Sequence, residues 1–359
     1  MTKYLTRRTL AAIPVLFGIL IVTFALARMI PGDPCRAILG EKATQEVCDR
    51  FIHERGLDQP IPVQFAIYMS DVAKGDFGNS IRFNRSVGEI LVERLPVTIE
   101  LGALALLIAV LVGIPAGMIS AMKRNSAVDV GTMVGANIGV SMPVFWLGLL
   151  LAYVFALKLK GTPFWLPPTG RLSAGLVATP FYEVYNLGFT DGTAIHRLFQ
   201  FISNFYIFNS IITANGPVLK DSVRHLILPA VALATIPLAI IARMTRSSML
   251  DTLDADYVRT AHSKGLHGRT VVFGHAFRNS LLPIITIIGL QMGAIFGGAV
   301  LTETIFGLAG VGRTLFEAIT ARDFPIIQGF TLVIAIGYVV VNLLVDLSYG
   351  FIDPRIHIK

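Results

Sequence analysis

Six apolar runs constrain this chain more than any other feature, because each is about as long as a helix that crosses a lipid bilayer. A hydrocarbon core about 30 Å thick needs roughly 20 residues of helix. Inside lipid, backbone N–H and C=O groups have to be hydrogen-bonded within the protein, and a helix achieves this in a single segment. The six runs are residues 10–30, 101–122, 130–157, 226–242, 279–302 and 324–345. We therefore predict an all-α integral membrane protein with six transmembrane helices.

The composition agrees with this prediction. Hydrophobic residues make up 54% of the chain and charged residues 15%, whereas about a quarter of the residues in soluble proteins are charged. The formal net charge of +7 indicates basic loops on the cytoplasmic side of a membrane rather than a nucleic-acid partner. Lys3, Arg7 and Arg8 precede a run that is too long for the core of a signal peptide, so we expect an uncleaved first helix.

Two long polar regions separate the runs. Residues 31–96 begin with Pro-Gly-Asp-Pro, which ends the first run, and contain possible short helices at 44–55 and 63–73. Residues 158–224, which we call the insertion, include a charge-free stretch at 198–219. Its many polar side chains favour an interfacial or externally packed segment. A seventh span is the alternative, but it would place the basic loops on opposite sides of the membrane.

Both cysteines, Cys35 and Cys48, lie in the first polar region. In an oxidising compartment a disulfide would close a small ring there and contribute roughly 3 kcal/mol through loop entropy. Two free cysteines are the alternative, and the spacing does not decide between them.

A polar segment, residues 244–283, lies between two of the runs and carries a dense mixture of basic, acidic and histidine side chains. Acids at an N-terminal turn and apolar residues at helical spacing predict a first helix that Gly265 and Gly268 end. The acids are Asp251, Asp254 and Asp256. A second helix is predicted over 269–282, with Pro283 opening the next one. Two helices joined by a glycine turn suit a segment that projects from the membrane into another protein.

The sequence lacks the motifs of a self-sufficient enzyme or pump. It contains no G-x-x-x-x-G-K-[ST] phosphate loop, no H-E-x-x-H zinc helix and no paired nucleophile and base within the runs. Ionisable residues are almost missing from the interior of the runs, which disfavours a proton-driven or ion-driven carrier. We expect no catalytic residue, no metal site and no cofactor on this chain. An intramembrane enzyme and a self-sufficient channel or carrier are the rival interpretations.

Uncharged polar side chains inside the runs are the candidates for lining a solute pathway. They are Asn137, Ser141, Gln291 and Asn342. Hydrogen bonding between helices is the alternative role for each of them.

The polar segment resembles the cytoplasmic EAA loop of bacterial ABC-transporter permeases, in its peptide-permease version. The matching motifs are DYVRTAHSKGL at 256–266 and HAFRNSLLP at 275–283. Other segments, among them LPVTIELG at 95–102 and LTETIFGLAGVG at 301–312, extend the resemblance over nearly the whole chain to the B-type permeases of dipeptide, oligopeptide and nickel importers. The closest branch is the dipeptide one.

Two departures from the family pattern stand out. Arg259, Thr260 and Ala261 occupy the place of the Glu-Ala-Ala that gives the motif its name, which weakens any role for a motif glutamate. Residues 172–220 match no pattern of the family, so a property peculiar to this protein is expected there.

The resemblance implies the type I ABC importer permease fold with a large periplasmic insertion, residues 158–224. It divides the chain into the first helix and loop at 1–97, a core at 98–349 and a cytoplasmic tail at 350–359. Within the core, residues 243–279 would form a loop that couples to an ATPase. The residues matched to this role are Asp256, Tyr257, Arg259, Ala261, Gly265, His275, Asn279 and Pro283. Both termini would be cytoplasmic in a bacterial inner membrane.

The resemblance also implies function and partners. The chain would form half of the translocation pathway of an importer for dipeptides or short peptides, together with a homologous second permease. Two ATP-binding subunits, which would hold ATP and Mg²⁺, and a periplasmic substrate-binding protein would complete the importer. Longer peptides, nickel chelates and glutathione are alternative cargoes within the same class.

Overall fold

The computed structural model describes residues 2–29, 35, 43–54, 56, 58–188 and 192–352. Within them the regular structure is helical, apart from one isolated bridge between Asn79 and Ser86. In the first half the helices are α1 (Thr2–Met29), α2 (Gln45–Glu54), α3 (Ile61–Ala73), α4 (Val87–Met122), α5 (Ala127–Ser141), α6 (Val144–Leu151) and α7 (Phe181–Val184). In the second half they are α8 (Ala194–Ser203), α9 (Tyr206–Ile212), α10 (Gly216–Leu253), α11 (Asp256–Ser263), α12 (Arg278–Ile305), α13 (Val311–Ala321) and α14 (Phe324–Ile352). Turns of π-helix continue α6 over Ala152–Lys158 and precede α12 over Thr270–Phe277.

Five helical segments among the described residues are each long and apolar enough to cross a membrane. They are Thr6–Leu26, Val87–Met122, Gly216–Leu253, Thr270–Ile305 and Phe324–Ser348. The predicted third span, 130–157, is wrong as a straight helix, because α5 and α6 meet at an angle of 101°. Pro143 has no N–H to donate and keeps the residue before it out of the helical region. Met142 accordingly has an extended ψ of 125°.

The bent pair α5–α6 nevertheless crosses the molecule once. Asp129, in the first turn of α5, lies 2.7 Å from the guanidinium of Arg246 near the end of α10. A Cβ atom added at Gly148 of α6 would lie 3.1 Å from the ring of Phe306, which directly follows α12. Helix α10 ends, and α12 begins, at the polar segment. Arg246 therefore lies at the end of the molecule that carries this segment, and Phe306, which follows the far end of α12, lies at the opposite end. Counting the bent pair as one span confirms the prediction of six.

Helices α4 and α10 extend beyond the apolar runs that predicted them. They contain 36 and 38 residues, which corresponds to about 55 Å of helix each. The runs at 101–122 and 226–242 covered only the lipid-compatible parts, because hydropathy does not detect helical turns that carry polar side chains. These additional helical turns extend α4 and α10 beyond the apolar runs, and the loops at both ends of the molecule pack on them.

The core lies where α4 crosses α10, and two glycines permit the close approach. A Cβ atom at Gly113 would lie 2.9 Å from the carbonyl oxygen of Leu238. At Gly117 it would collide with the carbonyl of Ala242 and lie 2.6 Å from Cβ of Thr245. Small residues four positions apart let membrane helices pack backbone against backbone, where van der Waals contact stabilises them.

The insertion is fixed to the end of α4. Helices α8 and α9 divide the stretch 198–219 and have 10 and 7 residues, too few for the roughly 20 that a bilayer needs. Arg171 donates from Nη2 to Oε2 of Glu100 at 2.8 Å, and the N–H of Ile207 donates to Oε1 at 2.8 Å. The alternative of a seventh span is therefore wrong, and the interfacial or external position of this stretch stays a prediction.

The first polar region contains the two predicted short helices. α2 and α3 agree with the predictions at 44–55 and 63–73 within three residues at each end. Cys35 and Cys48 are joined by a disulfide, with Cα atoms 5.3 Å apart, and both are buried. The Pro-Gly-Asp-Pro sequence predicted to end the first run lies outside the described residues, as does most of the predicted tail, residues 353–359.

Candidate functional site

The polar segment lies at the end of the molecule where other basic residues gather, which we call the basic end. Arg124 follows α4 and lies 3.4 Å from Asp254, which follows α10. Arg8 of α1 lies 3.1 Å from Asp346 near the end of α14. Helix α14 runs antiparallel to α12, because Gly289 packs on Val345 and Gly293 on Tyr338. The start of α1, the start of α12 and the end of α14 therefore share this end with the polar segment.

The prediction of a first helix starting at the acidic cluster is wrong for its first two acids. Helix α10 continues to Leu253, so Asp251 lies in its last turn and Asp254 is its C-cap residue. Only Asp256 lies in the first turn of the new helix, α11. Met249 explains the extension of α10, because it is completely buried in a cluster that also contains Ala276. Packing outweighs the local charge pattern here.

Helix α11 has a buried inner face and an exposed outer face. Val258 and Ala261 are buried and pack with Val271, in the π-helical turns, and with Leu253 at the end of α10. On the other face, Tyr257 is 45% exposed, and the side chains of Arg259 and Asp256 are 71% and 97% exposed. The short helix is thus held to the ends of two spans while its polar and aromatic face remains accessible.

A Schellman turn centred on Gly265 ends α11. The N–H of Gly265 donates to the carbonyl of His262 at 2.9 Å, and the N–H of Leu266 donates to that of Ala261 at 3.3 Å. Gly265 has a φ of +77°, in the left-handed region, and a Cβ atom there would meet nothing within 4 Å. The glycine is therefore required by its backbone conformation within this chain, and the space around it is open.

The second helix of the polar segment does not stop at Pro283. From residue 268 the chain is helical without interruption to Ile305, first through the π-helical turns and then through α12. The prediction of a helix boundary at Pro283 is wrong, because long membrane helices tolerate an internal proline when neighbouring helices support them. Ser280 supplies such a link: its hydroxyl donates to the carbonyl of Ser248 at 3.0 Å and lies 2.8 Å from Thr252 Oγ1.

A buried ion pair connects the end of α10 to α5. Arg246 donates from Nε and Nη2 to the two carboxylate oxygens of Asp129, at 2.7 and 2.8 Å. The hydroxyl of Ser120 and the N–H of Asn125 also donate to Asp129. Because Asp129 is only 3% exposed and both its oxygens accept hydrogen bonds, it joins the α4–α5 turn to the last turns of α10. The sequence interpretation noted Arg246 only as part of the polar segment and did not identify this partner.

The structure brings the eight predicted coupling residues to the basic end, but it does not give them one role. Asp256, Tyr257, Arg259, Gly265, Asn279 and Pro283 are exposed, His275 is half-buried and Ala261 is buried. Ala261 thus belongs to the packing of α11, whereas the exposed residues are available to a partner.

The four predicted pathway residues lie on three separate helices. Asn137 and Ser141 are exposed on α5, with Ser141 directly before the bend. Gln291 is buried in α12, and Asn342 of α14 lines a groove against α1 of about 340 Å³. Their roles remain predictions.

Buried carboxylates at the end opposite the basic end were missed by the sequence interpretation. Glu303 is completely buried and accepts hydrogen bonds from Thr98 Oγ1 at 2.6 Å and from the N–H of Arg313 at 2.9 Å, which fixes the start of α13. Asp323 accepts from Ser80 Oγ at 2.5 Å. Glu100 and Glu303 directly adjoin apolar runs, and that position was the available signal. The described residues contain no group of three or more metal-ligand side chains.

Two family models match this chain. The binding-protein-dependent transport system inner membrane component matches residues 113–358, and the N-terminal model of the corresponding membrane component matches residues 1–102. The chain therefore belongs to the family of binding-protein-dependent transport system inner membrane components.

Similar proteins match over almost their whole length. The dipeptide transport system permease protein DppB of Alkalihalophilus pseudofirmus is 44% identical over 99% of both chains. The di/tripeptide transport system permease protein DppB of Pseudomonas aeruginosa is 41% identical over 99% of both. The dipeptide transport system permease protein DppB of Escherichia coli K12 is 41% identical over 100% of both.

Proposed function

We propose that this protein is the membrane-spanning permease subunit of an ATP-driven importer for dipeptides or short peptides. The family and the names of its relatives support the class and the cargo. The observation that carries the mechanism is the accessible face of α11 and its Gly265 turn, which is fixed to two spans on its other side. A partner that moves this face moves the spans with it.

Two connections carry the movement into the membrane. The buried face of α11 packs on Val271 and Leu253, so a displacement of α11 acts on the start of α12 and the end of α10 together. Arg246 and Asp129 then connect α10 to α5, which leads to the bend at Pro143. Closure of an ATPase pair would in this way shift the spans between an outward and an inward opening.

The protein is a multi-pass protein of the bacterial inner membrane in this proposal, with the basic end in the cytoplasm. Short loops rich in Lys and Arg are normally cytoplasmic, which supports this orientation. The pairing of Arg8 with Asp346 supports a common side for the two termini. The disulfide between Cys35 and Cys48 and the insertion would then lie in the oxidising periplasm.

The proposed partners are a homologous permease, two ATP-binding subunits that hold ATP and Mg²⁺, and a substrate-binding protein. This chain would supply no catalytic residue. Membership in a binding-protein-dependent transport family supports this set, and the sequence contains no phosphate loop that would hold the nucleotide on this chain. Within this class, oligopeptides, nickel chelates and glutathione are the other cargoes to test.

The test is reconstitution in vesicles with the subunits encoded beside it. We expect uptake of a labelled dipeptide that requires both ATP and the binding protein. Tyr257→Asp, on the exposed face of α11, should reduce copurification of the ATPase. The matched control is Phe164→Asp, which adds the same charge at a 70% exposed aromatic residue of the insertion and should leave copurification unchanged. Uptake by the isolated chain without ATP would instead establish a self-sufficient carrier.

A further inference from the structure

An apolar cavity of about 560 Å³ lies between α4 and the insertion. Its walls include Ile99, Ala103 and Leu107 of α4 and Phe208 and Ile211 of α9. Its polar lining residue is Glu100, whose carboxylate oxygens are already bonded to Arg171 and to the N–H of Ile207. This cavity is widely open on one side, and its walls suit a ligand without polar groups.

The cavity lies at the height of a membrane boundary. A helix rises 1.5 Å per residue, so a hydrocarbon core of about 30 Å takes about 20 residues. Lys123 ends α4 at the basic end, and counting back from it by this length reaches Ala103. The lining residues of α4, from Ile99 to Leu107, therefore straddle the boundary on the side opposite the basic end.

An exposed apolar stripe leads from the cavity down the outer surface of α4. Leu107, Leu111 and Ile119 are 52%, 64% and 42% exposed and lie at spacings of four or eight residues on one helical face. The cavity is thus continuous with a surface that faces lipid along the span. A ligand that fills it can extend parallel to the helix, as an acyl chain does.

Helix α9 of the insertion lies at the same height, because Phe208 and Ile211 line the cavity. Ile195 and Leu198 of α8 are each 56% exposed, and Phe208 and Ile211 of α9 are 48% and 60% exposed. Short helices with one apolar face lie in the plane of a membrane interface, with that face among the acyl chains. The N–H of Ile207 in α9 donates to Oε1 of Glu100 in α4 at 2.8 Å, which holds α9 against α4 at this height.

We propose that the cavity between α4 and α9 binds an acyl chain of a phospholipid from the leaflet opposite the basic end, with the insertion resting on that leaflet. A second protein subunit is a less suitable occupant, because the cavity opens onto a stripe that follows the direction of lipid chains for most of the span. The insertion then fixes the height of the outer end of α4 relative to the membrane.

The experiment measures quenching of a tryptophan in the cavity by brominated lipid. The chain contains two tryptophans, Trp146 and Trp165, which are replaced by phenylalanine, and the emission of the assembly with only these replacements is subtracted as background. Phe208→Trp then places the reporter in the cavity. The control is Phe199→Trp, because Phe199 packs on Phe181 inside the insertion with ring centroids 5.5 Å apart. The full chain, purified with its associated subunits, is reconstituted in phosphatidylcholine that is brominated in mid-chain or left unbrominated.

We expect brominated lipid to remove most of the emission at position 208 and much less at position 199. Ala103→Phe should reduce the quenching at 208, because the added ring occupies the cavity. If Phe208→Trp does not assemble, Ile211→Trp is the second reporter. Equal quenching at both positions, unchanged quenching with Ala103→Phe, or quenching by aqueous iodide in place of brominated lipid would overturn the proposal. So would quenching that is seen in the isolated chain and lost in the assembly, since a subunit would then cover the cavity. The readout needs no transport, so it is independent of the proposed function.

Discussion

Substitutions at Gly265 distinguish a glycine needed for its backbone from a glycine needed for a partner. Within this chain the glycine adopts a φ of +77° and has open space around it. An alanine there costs about 1 kcal/mol, because its Cβ is unfavourable in the left-handed region. Asparagine tolerates that region better, although it is larger. Whether the alanine or the asparagine variant loses more activity therefore depends on whether the backbone conformation or the contact with a partner matters more.

If the turn docks into a groove of the proposed ATPase, the size of the side chain at position 265 determines how strongly uptake is impaired. Gly265→Asn and Gly265→Asp would then impair uptake and stimulated ATP hydrolysis more than Gly265→Ala does. A loss of about 2 kcal/mol in docking would reduce the docked fraction up to about 30-fold. If only the backbone matters, Gly265→Ala is the least stable variant and all three retain uptake.

The assay combines three measurements on one preparation: copurified ATPase, ATP hydrolysis stimulated by the binding protein and substrate, and uptake into vesicles. Gly161→Asn is the matched control, because Gly161 also has a positive φ, +85°, and open space, but lies in the insertion. The coupling hypothesis requires all three signals to fall for Gly265→Asn at normal expression and to remain normal for the control. Normal uptake by Gly265→Asn and Gly265→Asp would refute it.

Three further predictions concern the structure that supports this site. Gly117→Ala should destabilise the chain by about 1–3 kcal/mol through overpacking against α10, seen as a lower midpoint in thermal unfolding, whereas Gly131→Ala, which meets open space, should not. Glu303→Ala should cost about 1–3 kcal/mol by leaving N–H groups of α13 without an acceptor, and Glu303→Gln should retain most of the stability in the same assay; equal losses would contradict this account. In unreduced protein, mass spectrometry should find neither Cys35 nor Cys48 alkylated, and free alkylation of both would show that the disulfide does not form.

The sequence predicts the number of spans well, because lipid imposes a simple rule on it. A segment of about 20 apolar residues has few alternatives to a helix. The same reasoning failed at Pro143, where hydropathy continues across a bend of 101°. Hydropathy indicates that a segment is stable in lipid. The direction of its backbone depends instead on Pro143 and on tertiary packing.

The helices of the polar segment were predicted only in part, for a related reason. Gly265 was identified as a turn because a positive φ is a local property that glycine makes possible. The start of α11 was misplaced because Met249, which is completely buried, extends α10 through contacts with residues distant in sequence. A local charge pattern contains no information about such contacts.

The buried ion pair between Asp129 and Arg246 shows the same limit most directly. The two residues are separated by 117 positions, and each has an ordinary local explanation: an acid in the first turn of α5 and a basic residue near a cytoplasmic loop. Only the crossing of α4 and α10, which Gly113 and Gly117 permit, places them within hydrogen-bonding distance. Removing one partner would leave the other charge without its counter-ion. The residues that connect the polar segment to the bent span therefore depend on two glycines, one of which, Gly117, lies against the backbone of Arg246.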